Sequence, residues 1–181
     1  SALAGIGPHA MLIVGRLSAQ QRHKGHDQLI EAMPLVLKQV ADAQLVIAGG
    51  GSDRDRLESK ARDAGVADSV LFAGRVEQAE LQELYARCAL FVMPSDGDGF
   101  GLVFLEAMMN RLPCVGLAQG AAAEIFEDGA SGALVDRDDI PAMANRLSGL
   151  LWDASQRQGL KEAGYRRYCS NFTAKHHSAR L

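Results

Sequence analysis

Two carboxylates, Asp98 and Glu106, stand eight positions apart in the run P-S-D-G-D-G-F-G-L-V-F-L-E that begins at Pro94. The first sits in a glycine-rich turn and the second one turn into an apolar, helix-like segment. Leu90 to Met93, just before the turn, is a short apolar run of the kind that forms a buried strand, so the local order reads strand, turn, helix. A helix starting just after Gly101 would aim unpaired backbone N–H groups and its positive dipole end at whatever lies above the turn, which suits an anion such as a phosphate. Glycines at 97, 99 and 101 let a ligand approach the backbone closely. Taken alone, they read equally as a tight turn after a strand. Glu106 is more telling, because an unpaired carboxylate in apolar surroundings is costly. It must face the site or find a cationic partner.

The elements that position this turn follow from the rest of the chain. Met11–Val14, Leu45–Ala48, Val70–Phe72, Leu90–Met93 and Cys114–Leu117 are short apolar runs, mostly bounded by Gly or Pro, and read as five buried strands. Between them Asp27–Val40, Asp53–Ala64, Gln78–Arg87 and Leu102–Asn110 repeat apolar residues at helical spacing, as in Leu81, Leu84 and Tyr85. Alternation of this kind predicts an α/β fold with a doubly wound, Rossmann-like parallel sheet and right-handed crossovers. Ligands on such sheets sit outside the carboxyl ends of the strands, where the loops after Val14, Ala48, Met93 and Leu117 gather. Gly49–Gly51 reads as a strand-to-helix turn capped by Ser52 or Asp53, since G-x-G-x-x-G is absent.

Composition sets outer bounds. The 181 residues, 48% hydrophobic and 23% charged, suffice for one sizeable core. A formal net charge of -3 without long runs of one sign disfavours nucleic acid or an anionic membrane as the main partner, so basic groups that matter must act locally. Cys88, Cys114 and Cys169 are odd in number and widely spaced, which argues against a disulfide framework or structural zinc and fits a cytoplasmic location. No apolar stretch approaches the ~20 residues that span a bilayer. The five histidines form no Ser-His-Asp or metal arrangement. Arg16 and Lys24, taken alone, read as solvated surface charges.

Beyond Ile140 the pattern changes to a helical repeat, Met143, Leu147, Leu150 and Leu151, then a charged stretch and a polar tail. The chain divides into a leader or linker (1–10), a Rossmann-like domain (11–170) and the start of a tail helix (171–181). It reads as a fragment.

G-R-L-S and K-G-H-D-Q-L-I-E-A after Gly15, then L-V-I-A-G-G-G, L-F-A-G-R-V, the long motif and G-A-L-V-D from Gly132 keep one order and spacing. Together they resemble the carboxyl-terminal, donor-binding half of GT-B retaining glycosyltransferases of the group 1, family 4 type. The resemblance implies an enzyme that transfers a sugar from a nucleoside diphosphate sugar, needs no cofactor or metal, and holds its acceptor in an amino-terminal domain absent here. Membrane contact, peripheral and at the inner face, would come through that missing half. The stretch from Phe172 resembles the helix that crosses back to it.

Carried over motif by motif, Glu106 matches the second acid of E-x7-E and would hold the ribose hydroxyls. Asp98 stands where the family has glutamate, beside the hydroxyls of the transferred sugar, and its shorter side chain withdraws the carboxylate by ~1.5 Å. Phe100, Gly101 and Leu102 match the turn whose amides meet the sugar and distal phosphate. Gly15 opens the motif that carries Arg16 and Lys24, which resemble the basic pair neutralising the diphosphate. Gly74, Arg75 and Val76 resemble the loop flanking the base. Gly120 and Glu124 resemble a G-G-x-x-E segment near the donor, with Ala121 in place of the second glycine. Asn110 and Arg111 replace the usual small residue and glycine after E-A-M. Asp96 and Asp98 also spell D-x-D, a metal-binding pattern elsewhere, here inside the matched turn. A binding module without transfer activity, suggested by Asp98, Ala121 and Asn110, is the alternative to an enzyme. A sugar-nucleotide 2-epimerase on the same fold fits the long motif less well.

Overall fold

A computed structural model of the chain describes residues 3–97 and 101–173. Six strands, β1 (Ala10–Val14), β2 (Gln44–Ala48), β3 (Val70–Gly74), β4 (Leu90–Met93), β5 (Cys114–Leu117) and β6 (Ala133–Val135), form one sheet in the order β3-β2-β1-β4-β5-β6. Every pairing is parallel. The helices are α1 (His26–Gln39), α2 (Arg54–Asp63), α3 (Gln78–Arg87), α4 (Leu102–Met109), α5 (Ala122–Ile125), α6 (Ile140–Trp152) and α7 (Ala154–Asn171). Strand order reverses direction at β1, and since parallel crossovers are as a rule right-handed, helices on the two sides of that point fall on opposite faces of the sheet. α1 packs with α2 and α6, while α4 packs with α7, which also reaches β5.

The four central strands are apolar because both their faces are covered: β4 and β5 are buried throughout, and β1 and β2 at all but one end residue. The edge strand β3 is only half-buried. All five expected strands form, with bounds that agree or differ by one or two residues. The sixth was not expected, because three residues of G-A-L-V-D are too few for a periodic signal; β6 exists because it completes the edge beside β5. The expected charged stretch after α6 is also helical. α7 buries only Leu160, Gly164 and Tyr168, a one-residue-wide stripe at four-residue spacing, so its apolar signal is faint.

One aromatic column matters for the site. Phe104 in α4 meets Phe91 of β4 edge-on at 5.5 Å and Phe126, after α5, at 5.6 Å. Such pairs add about 0.5–1.5 kcal/mol beyond burial. They pin the first turn of α4 to the sheet and thus fix where its N-terminus points.

Candidate functional site

The loops at the carboxyl ends of β1, β2 and β3 are in direct backbone contact. Gly15 N–H donates to Ala48 O at 3.0 Å, Leu17 N–H to Gly50 O at 3.0 Å, and Gly49 N–H to Gly74 O at 2.8 Å. Gly49 has φ 142°, and a Cβ there would lie 1.9 Å from Gly15 O, so no side chain fits. The β1 loop continues as a short 3-10 helix, Ala19–Lys24, which leans on the β4 loop. Cβ atoms added at Gly25 and Gly97 would lie 2.5 Å from Pro94 and 2.6 Å from the His23 ring. Lys24 folds back so that its Cδ would be 2.7 Å from a Cβ at Gly15.

Charge pairing holds this arrangement. Arg22, on the 3-10 helix, donates to both Asp53 oxygens at 3.0 and 2.9 Å. Arg56 of α2 bridges Asp53 (2.9 and 2.7 Å) and Asp27 (2.7 and 2.8 Å). Hydrogen bonds from Arg56, then Arg22, hold the Asp53 carboxyl far below the usual carboxylate range. Those from Arg56 lower Asp27 to about 2. The expected helix cap is thereby corrected: Asp53 is the N-cap residue of α2 but makes no side-chain cap bond, because two guanidiniums outcompete the backbone N–H groups for its oxygens. His26, 3% exposed, is held down at about 4 by burial and then by the nearby Lys24 charge.

A second clamp joins the loops after β1, β4 and β6. Arg137 donates to His23 O at 3.0 Å and to Asp96 Oδ2 at 2.6 Å. Sequence reasoning missed it, although Arg137 directly follows G-A-L-V-D. The ion pair also engages Asp96, the first acid of D-x-D. Among the described residues no group of three or more His, Cys, Asp or Glu side chains is arranged to hold a metal.

Gly15, Lys24, Gly74 and Gly101 therefore converge on one end of the sheet. Arg16 is exposed there and borders a crevice with Arg22 and His26. Arg75 is exposed beside Gly50, and Val76 is half-buried. α4 begins directly after Gly101 as expected, with Gly101 in the left-handed conformation (φ 62°) and Leu102 36% exposed. A Cβ at Gly101 would lie 2.5 Å from Ile125 and 3.4 Å from the Ala121 Cβ, so the glycine is what lets the turn settle on α5. Gly120 abuts Ser95 O, and Glu124 lies exposed on α5. Asp98 and Phe100 lie outside the described residues. Glu106 is half-buried on α4 and accepts a hydrogen bond of 3.4 Å from the Tyr85 hydroxyl. Burial, then the Glu106 charge, drives the phenol well above its ordinary range, so Tyr85 stays a donor. No signal in the sequence pairs Tyr85 with Glu106; α3 and α4 meet only in the fold.

The departures after E-A-M have local explanations. The Asn110 side-chain amide donates to Glu106 O at 2.8 Å, closing the end of α4. Arg111 takes φ 58°, a left-handed conformation that glycine would adopt without strain. Its guanidinium stacks 3.8 Å above the Tyr165 ring.

A family profile described as Glycosyl transferases group 1 matches residues 7–167. The chain is 33% identical, over 98% of its own length, to a GDP-mannose-dependent alpha-(1-6)-phosphatidylinositol monomannoside mannosyltransferase of Mycolicibacterium smegmatis. It spans about half of that relative, 48%. The solved C-terminal domain of the group 1 protein LpcC from Francisella tularensis superposes with a TM-score of 0.78 at 28% identity, covering 90% of this chain and 85% of that one. S. aureus TarM, solved with UDP, shares the fold at a TM-score of 0.84 and 21% identity, over 95% of this chain and 34% of TarM.

Proposed function

We propose, since the chain belongs to the group 1 glycosyl transferases, that it is the donor-binding half of a retaining enzyme. Such an enzyme takes a sugar from a nucleoside diphosphate sugar and passes it to an acceptor held by an amino-terminal domain. The observation that carries the reading is that the β1 loop, which holds Arg16 and Lys24, leans on the β4 loop that precedes α4, at the place where strand order reverses. Open α/β sheets bind ligands at that place. Two cations and a helix N-terminus would there oppose the charge that grows on a departing diphosphate. Arg16 offers a planar fork and Lys24 a compact charge.

In this reading the bond between the anomeric carbon and the diphosphate oxygen breaks as the acceptor oxygen forms a bond to the same carbon from the same face. The acceptor proton passes to the departing phosphate. No side chain of this half acts as nucleophile, and neutralisation by Arg16 and Lys24 calls for no metal. Glu106, steadied by Tyr85, would accept from the ribose hydroxyls, and Asp98 from the sugar. Gly74, Arg75 and Val76 would flank the base, while Phe100, Gly101 and Leu102 would offer backbone amides. The M. smegmatis relative is named for GDP-mannose, which makes GDP the first base to try.

Calorimetric titration with GDP, UDP, ADP and GDP-mannose tests this. One nucleotide should bind, with affinity unchanged by EDTA. Arg16→Ala and Glu106→Ala should each weaken it by roughly tenfold or more, the effect of losing a charge-assisted hydrogen bond. A folded chain that binds none of them would overturn the reading, and binding without transfer in an enzyme restored with its acceptor half would favour a non-catalytic module.

A further inference from the structure

At the opposite end of the sheet, where Pro8, Ala89 and Pro113 lead into β1, β4 and β5, lies a cavity of about 530 Å³. That volume is within the range of pockets that hold small molecules. Four cations from three places in the chain line it: Arg87 at the end of α3, Arg111 just after α4, and Arg157 and Lys161 on α7. No carboxylate is among the described lining residues, in a chain whose net charge is -3. Only Arg87 is paired, with Glu83 on its own helix at 3.0 Å. Arg157 donates to the carbonyls of Leu150 and Leu151 at the end of α6, which orients its guanidinium without neutralising it. Among the described residues Arg111, Arg157 and Lys161 form no ion pair.

Solvated surface charge would not account for Arg111. It holds a strained backbone conformation that glycine would relieve, and its guanidinium carbon sits 3.8 Å from the centre of the Tyr165 ring, which holds the side chain beside the cavity. Strain kept where a smaller residue would remove it points to a role for the side chain. A guanidinium held by stacking, with further cations around a concave wall, is the chemistry that recognises phosphate oxygens. We propose that this cavity is a second anion site, which takes a phosphate-bearing group at the amino ends of β1, β4 and β5. The group could come from a free phosphorylated molecule or from a lipid headgroup, since both present the same oxygens.

Amide chemical shifts of the isotopically labelled 181-residue chain, followed by NMR during titration with pyrophosphate, test the site. The expected result is a saturable shift of amides around Arg111 and Ala154, separate from any response around Gly15 and Gly101. Arg111→Gly and Lys161→Gln should each weaken it by roughly tenfold and leave the response at Gly15 and Gly101 unchanged. Glycine is chosen because it adopts the Arg111 backbone conformation without strain, so the fold should persist; if that variant unfolds, Lys161→Gln alone decides. A parallel arm uses phosphatidylcholine vesicles with and without phosphatidylglycerol. Binding to the anionic vesicles alone, lost in the variants, would assign the site to a lipid headgroup. No response at the amino ends to either probe, or a response that both variants retain, would overturn the proposal. Because the two regions are read separately, failure of nucleotide binding at the other end leaves this test intact.

Discussion

The two ends of the sheet handle positive charge in opposite ways. At the carboxyl ends Arg22, Arg56 and Arg137 are each tied to a carboxylate, Asp53, Asp27 or Asp96, and each tie joins segments, loop or helix, that follow different strands. At the amino ends Arg111, Arg157 and Lys161 have no carboxylate partner among the described residues and lean instead on a ring or on carbonyls. Paired cations hold backbone in place; cations without counter-ions attract a ligand. In the proposed donor site the carboxyl-end face would act through backbone set in advance, with Arg16 and Lys24 added to it, and such preorganised groups need no rearrangement when charge develops. Tyr85 and Asn110 connect the two regions, since both border the amino-end cavity and both donate to Glu106.

The comparison can be broken most severely at Gly49. Gly49→Ala would force a Cβ against Gly15 O in a conformation only glycine favours, and a loss on the order of 4 kcal/mol is expected from strain plus overlap. Thermal unfolding would show it, and a near-neutral result would mean that the loops are not set by this contact.

Acid should loosen the same face next. His26 is lowered to about 4 when folded and titrates near 6.5 when unfolded, so the unfolded chain binds the extra proton first. Its contribution, on the order of 3 kcal/mol, should be intact above pH 6.5 and fall away as pH drops toward 4. Denaturant melts across that range check the slope, and His26→Gln should flatten it. Asp27, lowered to about 2 by its hydrogen bonds to Arg56, loses its contribution only below the usual carboxylate range, which separates the two windows.

Arg137→Ala sharpens the distinction between pairing and binding. Losing the clamp on His23 and Asp96 should weaken nucleotide affinity by about tenfold, the value of one charge-assisted contact, with little change in melting temperature because the pair is at the surface. A large stability loss with unchanged affinity would make Arg137 a fold element instead. The smallest effect is expected at the connection between the regions: Tyr85→Phe removes one long hydrogen bond to Glu106 and should cost roughly threefold in nucleotide affinity by calorimetry.

Much of this was legible in the chain itself. The strand-helix alternation, the start of α4 after Gly101 and the bounds of α3, β4 and β5 follow from local spacing, because each element's periodicity is written in its own residues. The motifs at Gly15, Gly74 and Glu106 carried the family, which the match over residues 7–167 shows. The fold decided what local spacing cannot encode. Three residues of β6 became a strand only by completing an edge. Asp53 left the role of helix cap because Arg22, 31 positions away, reached it across two loops. Arg137 met Asp96, and Tyr85 met Glu106, only once the sheet order was set. Four scattered cations at 87, 111, 157 and 161 read as surface charges one at a time. They form one cavity because crossovers return α3, α4 and α7 to the same end of the sheet, and topology, unlike periodicity, joins residues without regard to their distance along the chain.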